Sequence, residues 1–143
     1  MRRRVMTLAA MAVVISLEAG CRSVRKDTVE PDWLPRIAGI YDGEVLNEGR
    51  MCPVVTQFGA DEESGPWGQY VITVENDLFK GQLFSFRFPG NRQIACRWLD
   101  ANGVGDLAIT FDDSFSAFDG YWKSDDDSTR HPWNGRMTRE GNE

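Results

Sequence analysis

The chain has 143 residues, 41% of them hydrophobic and 27% charged, with a formal net charge of −6. That length suits one domain rather than two, and the balance is that of a globular protein, not of a chain disordered throughout. A surface of that sign repels phosphate backbones and anionic headgroups, so no nucleic-acid partner is expected.

The N-terminus opens with "MRRR", a positive n-region, followed by an apolar stretch from Val5 to Leu17. That stretch is shorter than the about 20 residues a membrane span needs, and it matches the h-region of a signal peptide covering residues 1–20. Cys21 follows Ala19 and Gly20. The run "SLEAGC" resembles the lipobox of bacterial lipoproteins, with Leu17, Ala19, Gly20 and Cys21 matching in kind and Glu18 departing from the pattern. The resemblance implies export, cleavage after residue 20 and a lipid on Cys21. That lipid would hold the protein to the cell envelope, at the periplasmic face or the outer membrane. Ordinary cleavage near Ala19 or Gly20, releasing a soluble protein, is the alternative. Residues 1–20 contain Arg2, Arg3, Arg4 and Glu18, so their removal takes the net charge from −6 to −8.

Residues 21–36 carry the lipidated cysteine and a polar tether with Pro31 and Pro35. The folded domain is expected over 37–138, with a polar tail over 139–143. Within the domain the hydrophobic period is two. "QYVITVE" sets Tyr70, Ile72 and Val74 on one face. "LFSFRF" sets Phe84, Phe86 and Phe88 together. "QIACRW" aligns Ile94, Cys96 and Trp98, and "DLAITF" aligns Leu107, Ile109 and Phe111. "FDGYW" reads as a further strand, "KSDDDSTRHP" as a polar hairpin loop and "WNGR" as the start of a closing strand. Gly, Asn, Asp and Pro clusters bound each run, which is turn chemistry. This predicts an all-β antiparallel meander of about eight short strands closed into a calycin-like barrel, with a two-sheet sandwich as the alternative.

An aromatic-x-Gly-x-apolar pattern recurs in "YDGEV", "FKGQL", "FDGYW" and "WNGRM", and "GQYVITVENDLFKG" parallels "GDLAITFDDSFSAFDG". The parallel predicts two related β-units. A glycine within a strand leaves space for an aromatic ring to lie across it, or lets the strand bend.

Several of these landmarks also carry a resemblance. Gly39, Tyr41 and Gly43 form a Gly-x-Tyr-x-Gly opening, Trp67 and Gly68 a mid-chain W-G step. Phe118, Gly120 and Trp122, then Trp133 and Gly135, form an ending of the type F-x-G-x-W … W-x-G. In these the chain resembles a loose set of uncharacterised bacterial secreted proteins and lipoproteins with a Gly/Trp-rich β-meander domain. That set has no agreed activity, so the resemblance implies a fold and an address rather than a chemistry. The architecture is also similar to calycins and to small barrel lipoproteins that inhibit lysozyme or proteases, without a signature motif of either.

Cys52 and Cys96 remain after Cys21. Export to an oxidising compartment predicts a disulfide between them, and two separate buried thiols are the alternative. His131 is the one histidine of the chain. It lacks a nearby nucleophile or the further ligands that a zinc site needs, and reads as an exposed turn residue. Asp125, Asp126 and Asp127 are consecutive, whereas calcium loops alternate their acids, so they read as a solvated loop. No catalytic residue, metal or cofactor is predicted. The candidate ligand-binding residues are the aromatics Tyr41, Trp67, Trp98, Tyr121, Trp122 and Trp133, some of which would line a barrel mouth. Strict alternation puts Tyr121 and Trp122 on opposite faces, and the different parity of Phe115 and Phe118 points to a bulge.

The functional expectation is a non-enzymatic, monomeric envelope protein whose barrel holds a small apolar ligand. An acidic module that binds an envelope protein, for example inhibiting a basic hydrolase, is the alternative. A hydrolase using carboxylates from separate loops is a third reading.

Overall fold

The computed structural model describes residues 29–140; the expected signal peptide over 1–20 and Cys21 lie outside the described residues. A 3₁₀ turn, Leu34–Ile37, leads into eight strands. These are β1 (Gly39–Asn47), β2 (Arg50–Asp61), β3 (Gly65–Val74), β4 (Asp77–Arg87), β5 (Gln93–Asp100), β6 (Gly103–Phe111), β7 (Ala117–Ser124) and β8 (His131–Glu140). Every strand pairs antiparallel with the next, and β8 pairs back onto β1. The result is a closed eight-stranded barrel, so the sandwich alternative falls away. Closure removes the unpaired edges that a sandwich would have to protect.

Alternation places the expected residues inside. Tyr70 and Ile72, Ile94, Cys96 and Trp98, and Leu107, Ile109 and Phe111 are all buried. One end of the interior is filled by Tyr41, Phe58, Phe111 and Phe118, whose six ring pairs lie 5.3–6.0 Å apart, edge to face. That geometry sets positive ring edges against negative ring faces. The 3₁₀ turn covers this end: Leu34 and Ile37 are buried, and the Tyr41 hydroxyl donates to the Ile37 carbonyl at 2.7 Å. Trp33 packs on Phe88 and Phe115. Trp33 and Leu34, read from the sequence as tether, therefore belong to the fold.

The glycines work by absence of a side chain. Tyr70 stands opposite Gly81, Trp98 opposite Gly105, Phe118 opposite Gly135 and Trp67 opposite Gly59, and in each pair the ring occupies the space a Cβ would take. The two matching sequence units form the β3–β4 and β6–β7 hairpins. They point in opposite directions along the barrel, because the second unit begins three strands after the first in a meander where each strand reverses the last.

Three expectations are corrected. Phe84, Phe86 and Phe88 do not share a face: Ser85 has φ +55° and the β4–β5 register shifts between Phe84 and Arg87. Leu83 is therefore buried while Phe84 is exposed, and Phe86 turns back toward the core. Phe115 and Phe118 differ in parity because Phe115 sits at φ +58° in the turn before β7, while β7 itself pairs in regular register. Cys52 and Cys96 are both free, buried thiols. They sit on β2 and β5, with β3 and β4 between them in the sheet, and each fills interior space as a small hydrophobe.

Candidate functional site at the open end of the barrel

In a meander, the turns that follow β1, β3, β5 and β7 share one end. That end lies opposite the 3₁₀ turn, and its interior ends in indoles. Trp133, on β8, is deepest: it packs edge to face on Tyr70 at 4.9 Å and its Nε1 donates to Thr56 Oγ1 at 3.1 Å. This bond satisfies Thr56, the fully buried polar residue of the core. Nearer the surface, Trp98 and Trp122 meet at 5.4 Å and nearly at right angles. The Trp98 Nε1 donates to the Lys123 carbonyl at 3.0 Å, and Trp122 Nε1 reaches across to the Leu46 carbonyl at 2.9 Å. Both polar handles are thus used in fixing the rings; Trp98 is 6% exposed, and the half-buried Trp122 carries most of the indole surface that reaches the opening.

Between these rings lies a cleft of about 50 Å³, walled by Val45, Ile72 and the three indoles. Asn47 and Asn102 complete its lining, and none of its lining residues is charged. Above it opens a wider vestibule of about 430 Å³ that adds Glu48, Ser124, Asp127 and His131. His131 lies over Trp122, with ring centroids 4.4 Å apart.

The long β7–β8 loop is held in place over this end. Arg97, on β5, donates to Asp106 at 2.8 Å and grips Asp125 with both guanidinium nitrogens. The Arg97 hydrogen bond holds the Asp125 carboxyl below its usual range, and the Asp125 bond in turn raises Arg97. Asp127 accepts from the Thr129 amide and hydroxyl, which lowers its pKa as well. The run of aspartates is exposed, as a solvated loop should be, and Asp125 and Asp127 in addition staple it in place.

Of the predicted ligand residues, Trp98, Trp122 and Trp133 converge here. Tyr41 is buried at the closed end. Trp67 covers Gly59, and Tyr121, opposite in parity to Trp122, stacks under the Arg130 guanidinium at 4.3 Å. Sequence reasoning missed Asn47, Asn102 and His131, each of which flanks a turn at the open end.

A second concavity, about 530 Å³, runs along β1, β8 and β7, where Asp42, Glu44, Asp119 and Arg136 surround Gly43 and Gly135. It is a charged groove with a glycine floor, and the one aromatic side chain lining it, Phe118, is 2% exposed. Among the described residues no group of three or more His, Cys, Asp or Glu is placed to hold a metal ion. No family model, no curated protein and no solved structure matches the chain.

Proposed function

We propose that this is a lipid-anchored cell-envelope protein of non-enzymatic binding type that engages its ligand at the open end of the barrel, not deep inside it. The observation that carries the reading is the convergence of Trp98, Trp122 and Trp133 on a concavity at one end while the 3₁₀ turn covers the other. The vestibule volume falls in the range of about 300–1,000 Å³ typical of small-ligand sites. An apolar ligand enclosed as in calycins fits less well, because the aromatic layers fill the interior.

The entry of the chain supports the anchor. Eleven residues lie between Cys21 and Trp33, at most about 40 Å of extended chain. A lipid on Cys21 would keep the closed end toward the membrane and turn the open end away from it.

The second reading, an acidic module for an envelope protein, is favoured by the groove of Asp42, Glu44 and Asp119. Native mass spectrometry of protein purified gently from its own host separates the two. A bound species present in the wild type and absent from Asn102→Arg supports the mouth. A species kept by that variant and lost from Asp119→Arg moves binding to the groove.

A further inference from the structure

The lining of the mouth narrows the ligand to a chemical class, resting on the reading of the open end as the binding site. The inner cleft, about 50 Å³ against about 430 Å³ for the vestibule, admits a small group such as a methyl rather than the body of a ligand. Its walls are indole and aliphatic, which suits a methyl. Its two polar residues, Asn47 and Asn102, each bring donors and an acceptor. Among the described residues neither carboxamide hydrogen-bonds within the protein. Asn47 is half-buried and Asn102 exposed, so a plain alkyl group entering here would displace water from the cleft-facing side of each and return no hydrogen bond. A cationic head would find no carboxylate in the cleft. A methyl joined to an amide matches both halves of the lining.

The vestibule above is of another kind. It presents Ser124, Asp127, Glu48 and His131 beside the half-buried Trp122 and the small exposed edge of Trp98. Polar groups around an aromatic surface suit a body with hydroxyls on its rim and C–H bonds on its faces. A flexible methylene stem would leave those polar groups without partners.

We infer that the mouth binds an N-acetylated amino sugar, with the acetamido methyl in the cleft between Trp98, Trp122 and Trp133, its amide against Asn47 and Asn102, and the sugar ring in the vestibule. The vestibule is open to solvent, so the sugar can belong to a longer chain that continues outward.

The test is a titration of the purified protein followed through the assigned indole N–H resonances of its tryptophans. Three probes are used: the trimer of N-acetylglucosamine, the trimer of glucosamine, and a blocked acetyl-lysine. The acetylated trimer is expected to shift Trp98 and Trp122 at about millimolar concentration, with Trp67 unmoved, and to bind at least about tenfold more tightly than the others. Asn102→Ala, whose backbone bond to Asp100 is kept, is expected to lose that binding with an otherwise unchanged spectrum. Equal or tighter binding of the cationic glucosamine trimer overturns the inference and makes the mouth a cation site. Equal binding of acetyl-lysine retains acetamide recognition but overturns the sugar. Silence with all three overturns the inference altogether, while a ligand lost from Asn102→Arg in native mass spectra would leave the mouth as the binding site.

Discussion

Tyr70 lies across Gly81 on the neighbouring strand, and its hydroxyl donates to Asp100 at 2.7 Å. The glycine makes room for the ring, and the ring carries a buried hydroxyl to a carboxylate at the open end. Gly81→Ala would drive a Cβ into that ring. Overpacking of this kind costs about 1–3 kcal/mol. Thermal unfolding should show a fall of roughly 4–8 °C per kcal/mol, as for other domains of this size. An unchanged melting temperature would mean that Tyr70 moves aside freely.

Alkali should weaken the fold through the same residue. Burial first, and then the bond to Asp100, push the Tyr70 hydroxyl well above the usual tyrosine range; burial also raises Tyr41. The unfolded chain ionises its tyrosines near pH 10 while the folded one keeps both protons. Their contribution is complete below that pH and declines above it, by up to about 1.4 kcal/mol per pH unit for each. Denaturant midpoints measured from pH 8 to 11 should fall, and Tyr70→Phe should flatten the fall while lowering stability at neutral pH.

Acid should act on the loops. Asp125 and Asp127 are held below the usual carboxylate range by Arg97 and by the Thr129 amide, respectively. For Asp112 desolvation pulls upward, but hydrogen bonds from the Ser116 side chain, the Ser116 and Ala117 amides and Ser114 outweigh it. Depressed values of this sort stabilise the fold above the unfolded pKa, near 4, and lose that effect as pH drops through the folded value. Arg97→Met should loosen the β7–β8 loop selectively. Hydrogen exchange at Ser124–Thr129 should speed up in the variant, with the β5 amides protected as before.

The thiols offer a direct count. Cys52 is 4% exposed and Cys96 0%. Both should resist alkylation in the native protein, and both should react at once in denaturant without reductant. Burial also raises the Cys96 thiol, which reinforces its inertness in the fold. Failure to label either one after denaturation would restore the disulfide.

Much of the fold was legible because alternation is a local signal. The strands around Ile72, Ile94, Ile109 and Trp133 could be read from neighbours alone. The flip after Phe84 could not, since nothing in "LFSFRF" marks Ser85 for a left-handed φ. The site was half legible for a related reason. Parity tells inside from outside, which separates Trp122 from Tyr121, but it gives no height along the barrel axis, so Tyr41 looked equivalent to Trp98. Asn47, Asn102 and His131 look like turn residues one at a time. The signal that would have gathered them is topological: the turns after β1, β5 and β7 must share an end of an up-and-down meander. Parity puts Cys52 and Cys96 inside, but spacing in the chain does not reveal whether two inward thiols meet; here both are free.

The most direct test of binding at the open end is photo-crosslinking in the native host, with a benzophenone amino acid placed singly at Glu48, Asp119 or Glu62. These positions sample the vestibule, the acidic groove and the β2–β3 turn at the closed end. Binding at the mouth predicts an adduct from Glu48 and none from Glu62. An adduct from Asp119 or Glu62 with nothing from Glu48 would contradict it and place the working surface elsewhere on the barrel.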